Sequence, residues 1–157
     1  MPDQRPPRGG VSFECKLTRI QAFTRVEPDE PQLHWNLVGV LVDLDLDGRG
    51  VSAMFGTLIV GEGRVRCRAT VQGVLTRDRP FPSEAAFKSF VRRYGIGMVE
   101  EMYDVARRAI NINTAMLDVD LEIPLAAPHC EIEFPRLDLR IVGQDTPAAS
   151  DPTSVGG

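Results

Sequence analysis

The sequence predicts an α+β fold, an antiparallel meander sheet covered on one face by a helical pair. Three observations carry that prediction. From Val11 to Thr76 apolar and polar residues alternate, the period that sends successive strand side chains to opposite faces. From Pro82 to Asn113 the period changes, and apolar residues fall three and four apart. Alternation then resumes at Leu117, Val119, Leu121 and Ile123. A sheet with one apolar face and an amphipathic helical layer can bury each other.

The elements follow in order. Val11, Phe13, Cys15 and Leu17 form one strand phase, and Ile20, Ala22, Thr24 and Val26 the opposite one. The shift predicts a bulge near Thr18–Arg19. Glu27 to Pro31, with two prolines, reads as a loop. A second strand runs from Gln32 to Asp47, with Gly39 as a candidate bulge. Asp47-Gly48-Arg49-Gly50 is a turn, Val51 to Val60 a third strand, Gly61-Glu62-Gly63 another turn, and Arg64 to Thr76 a fourth strand. Short turns between successive strands favour antiparallel neighbours.

Two helices are expected, at 84–94 and 98–112. Phe87, Phe90, Val91 and Tyr94 mark the first, and Met98, Met102, Tyr103, Ala106 and Ile110 mark the second. Ser83 suits an N-cap, because its hydroxyl accepts a first-turn N–H. Gly95 suits the position just past a helix end, where a left-handed backbone is needed. In the second helix Glu100 and Glu101 come early and Arg107 and Arg108 late, which complements the dipole. A fifth strand spans Leu117 to Ile123, ended by Pro124. Alternation at 129–134 and 137–142, broken by Pro135, suggests an edge strand or arm.

Length bounds the organisation. A chain of 157 residues fits one domain, which buries roughly 70% of its unfolded surface without staples. Residues 11–142 are read as that domain. Residues 1–10 and 143–157, rich in Pro, Gly, Arg, Ser or Ala, are read as disordered tails. Net charge is −4, which argues against nucleic acid as the main partner. No apolar run approaches the ~20 residues of a membrane helix, so membrane insertion is not expected. The first ten residues lack the apolar stretch of a secretory signal. Cys15, Cys67 and Cys130 are odd in number and sit on apolar strand phases. They read as reduced core residues, and the protein as cytoplasmic.

Candidate chemistry is sparse. Asp43, Asp45, Asp47 and Gly48 imitate the start of a calcium loop, but the twelfth position, which needs a bidentate glutamate, is Met54. A solvated acidic strand face is the better reading. Arg64, Arg66 and Arg68 form a same-face ladder, either paired with the acidic ladder or able to meet an acidic ligand. His34 and His129 are the only histidines, too few for a metal site of three or four ligands. No cysteine stands at a helix N-terminus that would lower its pKa. No phosphate-binding Gly loop and no Gly-x-Ser-x-Gly occur. No enzyme, cofactor or metal is therefore expected. Apolar side chains that adapt to varied partners do occur: Trp35, Met54, Phe55, Phe81, Met98 and Met102 are candidates to line a groove, or else plain core.

The order of elements resembles the SecB-like export chaperones, including those associated with toxin–antitoxin systems. The local match is Cys67-Arg-Ala-Thr-Val-Gln-Gly73-Val74-Leu75, similar to that family's strand of Cys, polar residues, Gly and two apolar residues. Pro82–Tyr94, with Phe87 and Phe90, is similar to the pre-helix of the toxin–antitoxin branch, and Leu117–Pro124 to the strand after the long helix. The chain departs from the family at Gly97-Met98-Val99-Glu100, where a Pro-Tyr opening of the long helix is usual, and after Pro124, where export chaperones carry a final helix. The resemblance implies a nucleotide-independent holdase for unfolded or nascent polypeptide. It also implies a homo-oligomer, and a role in protein transport or toxin–antitoxin control with a translocase component or an antitoxin as partner. The alternatives from other classes are a small-ligand-binding α+β protein, with the arginine ladder at a pocket between sheet and helices, and a structural assembly subunit.

Overall fold

In the computed structural model, residues 10–46 and 48–133 are described, with 29 and 40–46 described by their backbone alone. The element order is β1 (Val11–Leu46), β2 (Arg49–Arg77), α1 (Glu84–Met116) and β3 (Ile132–Glu133). The architecture is α+β, with one sheet and one long helix against it.

β1 and β2 form a single long antiparallel hairpin, from Val11 opposite Arg77 to Leu46 opposite Arg49. The four predicted strand segments exist, but they join end to end in pairs. Segment 11–24 therefore pairs with 65–77, and only the central pairing matches a meander. The chain does not reverse at Gly61–Gly63 or at Glu27–Pro31, as expected from their turn residues. Both stretches continue the ribbon, with Asp29 opposite Gly63 and Gln32 opposite Gly61. Gly63 takes φ +58°, which costs glycine little and serves a bulge as well as a turn. From Thr24 to Gln32, β1 advances eight residues while β2 advances four, from Val65 to Gly61. The surplus lets the ribbon bend and reverses the inward phase of β2. Even positions 52 to 60 are buried before the bend, and odd positions 67 to 75 after it.

The expected bulge at Thr18 is present. The register shifts between Leu17 and Arg19, and the Thr18 hydroxyl donates to the Thr70 carbonyl at 3.0 Å. Gly39 is not a bulge: it pairs in register with Met54, and the irregularity lies between Val40 and Leu44.

The two expected helices are one. Ser83 caps it as read, accepting the Ala86 N–H at 3.1 Å. The buried positions Phe87, Val91, Gly95, Met98, Met102, Ala106, Ile110 and Thr114 keep one stripe straight through the expected break. At 1.5 Å per residue the helix is about 50 Å long. Gly95 is therefore a buried helix residue and not a terminator. The true end is at Leu117, where Asp118 takes φ +56°. Val119 N–H donates to Thr114 O at 2.9 Å and Asp118 N–H to Ala115 O at 3.3 Å, a Schellman closure with aspartate in glycine's usual place. Because the helix runs on to Met116, Arg107 and Arg108 are not in its last turn, which holds no basic residue. They pair instead with Asp104, at 2.5 and 2.7 Å. The hydrogen bond from Arg107 is the main cause that lowers the Asp104 pKa.

Gly97 meets nothing within 4 Å of where a Cβ would stand. Ala is the better helix former by about 1 kcal/mol and creates no clash there. Gly97→Ala is expected to raise unfolding stability by about that amount, read as a shift in urea midpoint at unchanged slope.

Leu117–Ile123 is not a strand. Its side chains alternate as predicted, with Leu121 buried and Asp118, Asp120 and Glu122 exposed, but it joins no ladder among the described residues. It is an extended segment laid on the core. The chain next returns to the sheet at β3, where Ile132 and Glu133 pair in parallel with Leu37 and Val38. The rest of the predicted arm, 134–142, and both predicted tails apart from Gly10 lie outside the described residues.

Candidate functional site

The hairpin has two faces with different fates. The inner face, with Leu37, Leu58, Cys67, Val71 and Leu75, is buried under α1. The outer face meets no other element among the described residues. Phe23 there is 46% exposed and Phe55 36% exposed. Ile59 lies two positions on from Thr57, on the same face as Phe55. The bend brings Phe23, Ile59, Arg66 and Arg68 around one cleft of about 430 Å3, open on one side. Apolar side chains together with the guanidinium groups of Arg25, Arg66 and Arg68 in its lining can hold a chain segment by contact and by hydrogen bonds to carbonyl or carboxylate oxygens.

The arginine ladder thus faces away from α1, and not into a space between sheet and helix. Nor is it a cross-strand partner of the acidic ladder. Arg66 stands opposite Phe23, whereas Asp45 stands opposite Gly50 near the hairpin tip. The side chains of Asp43, Asp45 and Asp47 are outside the described set. Met54, at the twelfth position of the would-be calcium loop, is 2% exposed in the core.

Of the six residues expected at a groove, Phe55 is on the outer face. Trp35, Met54, Phe81, Met98 and Met102 belong to the core cluster. Trp35 stacks edge-on against Tyr103, with centroids 5.4 Å apart, and its buried Nε1 has no acceptor among the described residues. Phe81 packs edge-on against Phe87 at 5.2 Å, with the Arg77 guanidinium 4.0 Å above its ring. Met102 lies under Gly73, where an added Cβ would come within 2.9 Å of its sulfur. The structure does not gather these five on one accessible surface. Sequence reasoning missed Phe23 and Ile59. Their signal was their phase, opposite to the buried one, which the unforeseen bend concealed.

A second groove runs between α1 and the edge of β1. Residues 124–133 lie along it. The Tyr103 hydroxyl donates to the Pro124 carbonyl at 2.8 Å, and the Ala127 N–H donates to Glu100 Oε2 at 3.1 Å. Burial raises the Tyr103 pKa, with Arg107 opposing, so the phenol stays a donor. Clefts of about 430 Å3 open on both sides of Ile132. One is lined by Lys88, Val91, Arg92 and Glu131, the other by Gly95, Ile96, Val99 and Pro128.

All three thiols are free. Cys15 donates to Glu101 at 3.9 Å, and burial together with the nearby carboxylates raises its pKa to about 11. Burial also raises Cys67 and Cys130. The thiolate is disfavoured at all three, the reverse of what a nucleophile needs. Among the described residues no group of His, Cys, Asp or Glu converges as a metal site. No described helix is long and apolar enough to cross a membrane.

No family model and no curated protein matches the chain. Among solved structures it is similar to the SecB-like chaperone Rv1957 of Mycobacterium tuberculosis, determined in complex with a ChAD peptide from the Rv1956 HigA1 antitoxin. The identity is 14%, the overlap covers 76% of this chain and 94% of that one, and the TM-score is 0.48. That overlap is too loose to carry residue roles across.

Proposed function

We propose that the protein is a nucleotide-independent holdase that binds unfolded or nascent polypeptide. The observation that supports this best is the outer sheet face. A two-layer fold covers one sheet face with α1 and leaves Phe23, Phe55 and Ile59 on the other, beside long unpaired strand edges among the described residues. Apolar side chains next to open edges suit an extended chain, which gains main-chain pairing from the edge and tolerant contact from the rings. In this reading Phe55 meets the client directly. Trp35, Met54, Phe81, Met98 and Met102 form the packed core behind that face. The sequence resemblance at Cys67–Leu75 supports the finer reading: a cytoplasmic homo-oligomer serving protein export or toxin–antitoxin control, with a translocase component or an antitoxin as partner.

The test is suppression of light scattering when guanidine-denatured luciferase is diluted into buffer. Wild type is expected to suppress it. The double variant Phe23→Asp, Phe55→Asp is expected to bind client at least about tenfold more weakly, since each ring buried on binding contributes about 1.5 kcal/mol or more. The circular dichroism of α1 should be unchanged. A wild type that leaves scattering untouched sinks the proposal. If the variant becomes monomeric yet holds client normally, the face is a subunit interface and the assembly reading takes its place.

A further inference from the structure

The groove between α1 and β1 already contains an extended polypeptide, the chain's own residues 124–133. We propose that this groove is a strand-acceptor site for client, and that the 124–133 segment is a built-in competitor that a client displaces. The inference rests on the holdase reading and adds where one client segment sits and what regulates it.

Three features make the groove a seat for a strand. Leu37 and Val38 offer their backbone edge, and Ile132 and Glu133 use it in parallel register. Gly95 is buried in the middle of α1, where glycine costs about 1 kcal/mol against alanine. Gly95 and Ile132 line the same cleft, and a Cβ at Gly95 would stand at ordinary contact distance from Ile132 Cδ1, 3.9 Å, and closer to Val91 Cγ1, at 3.2 Å. Ile132 is the branched apolar anchor beside this glycine, with Ala127 and Cys130 of the same segment also packed against the core.

The segment is also held in a way that allows exchange. Its ladder is two residue pairs, and the hydrogen bonds of Tyr103 and Glu100 tie it to the helix. It fills only the middle of the groove, with clefts of about 430 Å3 left on either side of Ile132. A longer extended segment, with a branched apolar side chain at the Ile132 place and further apolar residues beside it, can fill those clefts and extend the pairing along β1. Such a segment makes every contact that the internal one makes, and more. The internal segment lowers apparent client affinity by the fraction of time it is seated, so clients poor in apolar residues are excluded.

The experiment uses the full chain and fluorescein-labelled, reduced and carboxymethylated lactalbumin, which stays unfolded, with binding read by anisotropy. Ile132→Ser unseats the internal segment and is expected to tighten client binding by about tenfold, the loss of one half-buried branched side chain. Ile132→Val should behave as wild type. Adding Gly95→Leu to Ile132→Ser fills the groove and should abolish the gain. If Ile132→Ser binds no tighter than a wild type that does bind, the competitor is overturned and the holdase reading stands. If the gain survives Gly95→Leu, the groove assignment is wrong. If neither wild type nor variant binds and luciferase still aggregates, both readings fail. Should Ile132→Ser lose its helical signal, hydrogen exchange of wild type decides. Saturating client must speed exchange in 124–133 while leaving Leu37 and Val38 protected, and unchanged exchange in that segment overturns the proposal.

Discussion

Tyr103→Ala is expected to lower unfolding stability by about 3–5 kcal/mol, the range for truncating a buried aromatic residue. Native domains are stable by only about 5–15 kcal/mol, so this variant approaches the limit of folding. Tyr103 is fully buried and does two things at once. Its ring packs edge-on against Trp35 from β1, which joins helix to sheet. Its hydroxyl holds the carbonyl of Pro124, which joins the helix to the extended segment beyond it. Tyr103→Phe separates the two. It keeps the ring and loses a hydrogen bond to a partly buried carbonyl, about 1 kcal/mol. Urea unfolding of both variants gives the comparison. A loss in Tyr103→Phe close to that in Tyr103→Ala would show that the hydroxyl, and not the packing, joins the layers. Hydrogen exchange in 119–127 should quicken in Tyr103→Phe while the exchange of β2 stays as in wild type.

Gly56→Ala comes next in size and tests the opposite error, too much side chain. Glycine in a strand interior is ordinarily worse than alanine by roughly 0.5–1 kcal/mol, so on propensity alone the change would stabilise. Packing reverses the sign. A Cβ at Gly56 would stand 2.5 Å from Trp35 Cη2 and 3.2 Å from Leu37 Cδ2. Both neighbours are buried, at 5% and 1% exposure, and have no open space to enter. Overpacking of this kind costs about 1–3 kcal/mol or more, and the net expectation is a loss of about 2 kcal/mol. In a domain of this size that is a fall in Tm of about 4–8 °C, read by calorimetry. Trp35→Leu in the Gly56→Ala background should cost less than in wild type, since the space it opens relieves the contact. Strict additivity of the two substitutions would show that they do not meet.

The same physics explains how much of the fold was legible in the sequence. A periodic apolar face is a local property, and it located the helical stretch, its Ser83 cap and the Thr18 bulge, but not that one helix runs unbroken from Glu84 to Met116. Glycine is ambiguous because its freedom serves opposite ends. Gly95 fits a helix terminator by residue type, yet it is a buried residue of an unbroken helix that lines the groove holding Ile132. Gly61 and Gly63 were read as a turn, yet they form a bulge in a continuing strand. For Leu117–Ile123 the alternation was real, but alternation records burial on one side and not a partner strand.

The candidate surface was less legible for a related reason. Phe55 was identified as a groove residue and lies on the outer face, whereas Phe23 and Ile59 come together only across the bend. Trp35, Met54, Phe81, Met98 and Met102 were equally good candidates by residue type, and packing put them in the core. By itself the sequence determined the α+β class and the amphipathic helical stretch, since each follows from local period. Tertiary structure alone decided that the strands form one bent ribbon, that one sheet face meets no other element among the described residues, and that residues 124–133 occupy a helix–strand groove. Those features depend on which distant segments meet, and long-range pairing leaves no mark on the spacing of residues within either partner.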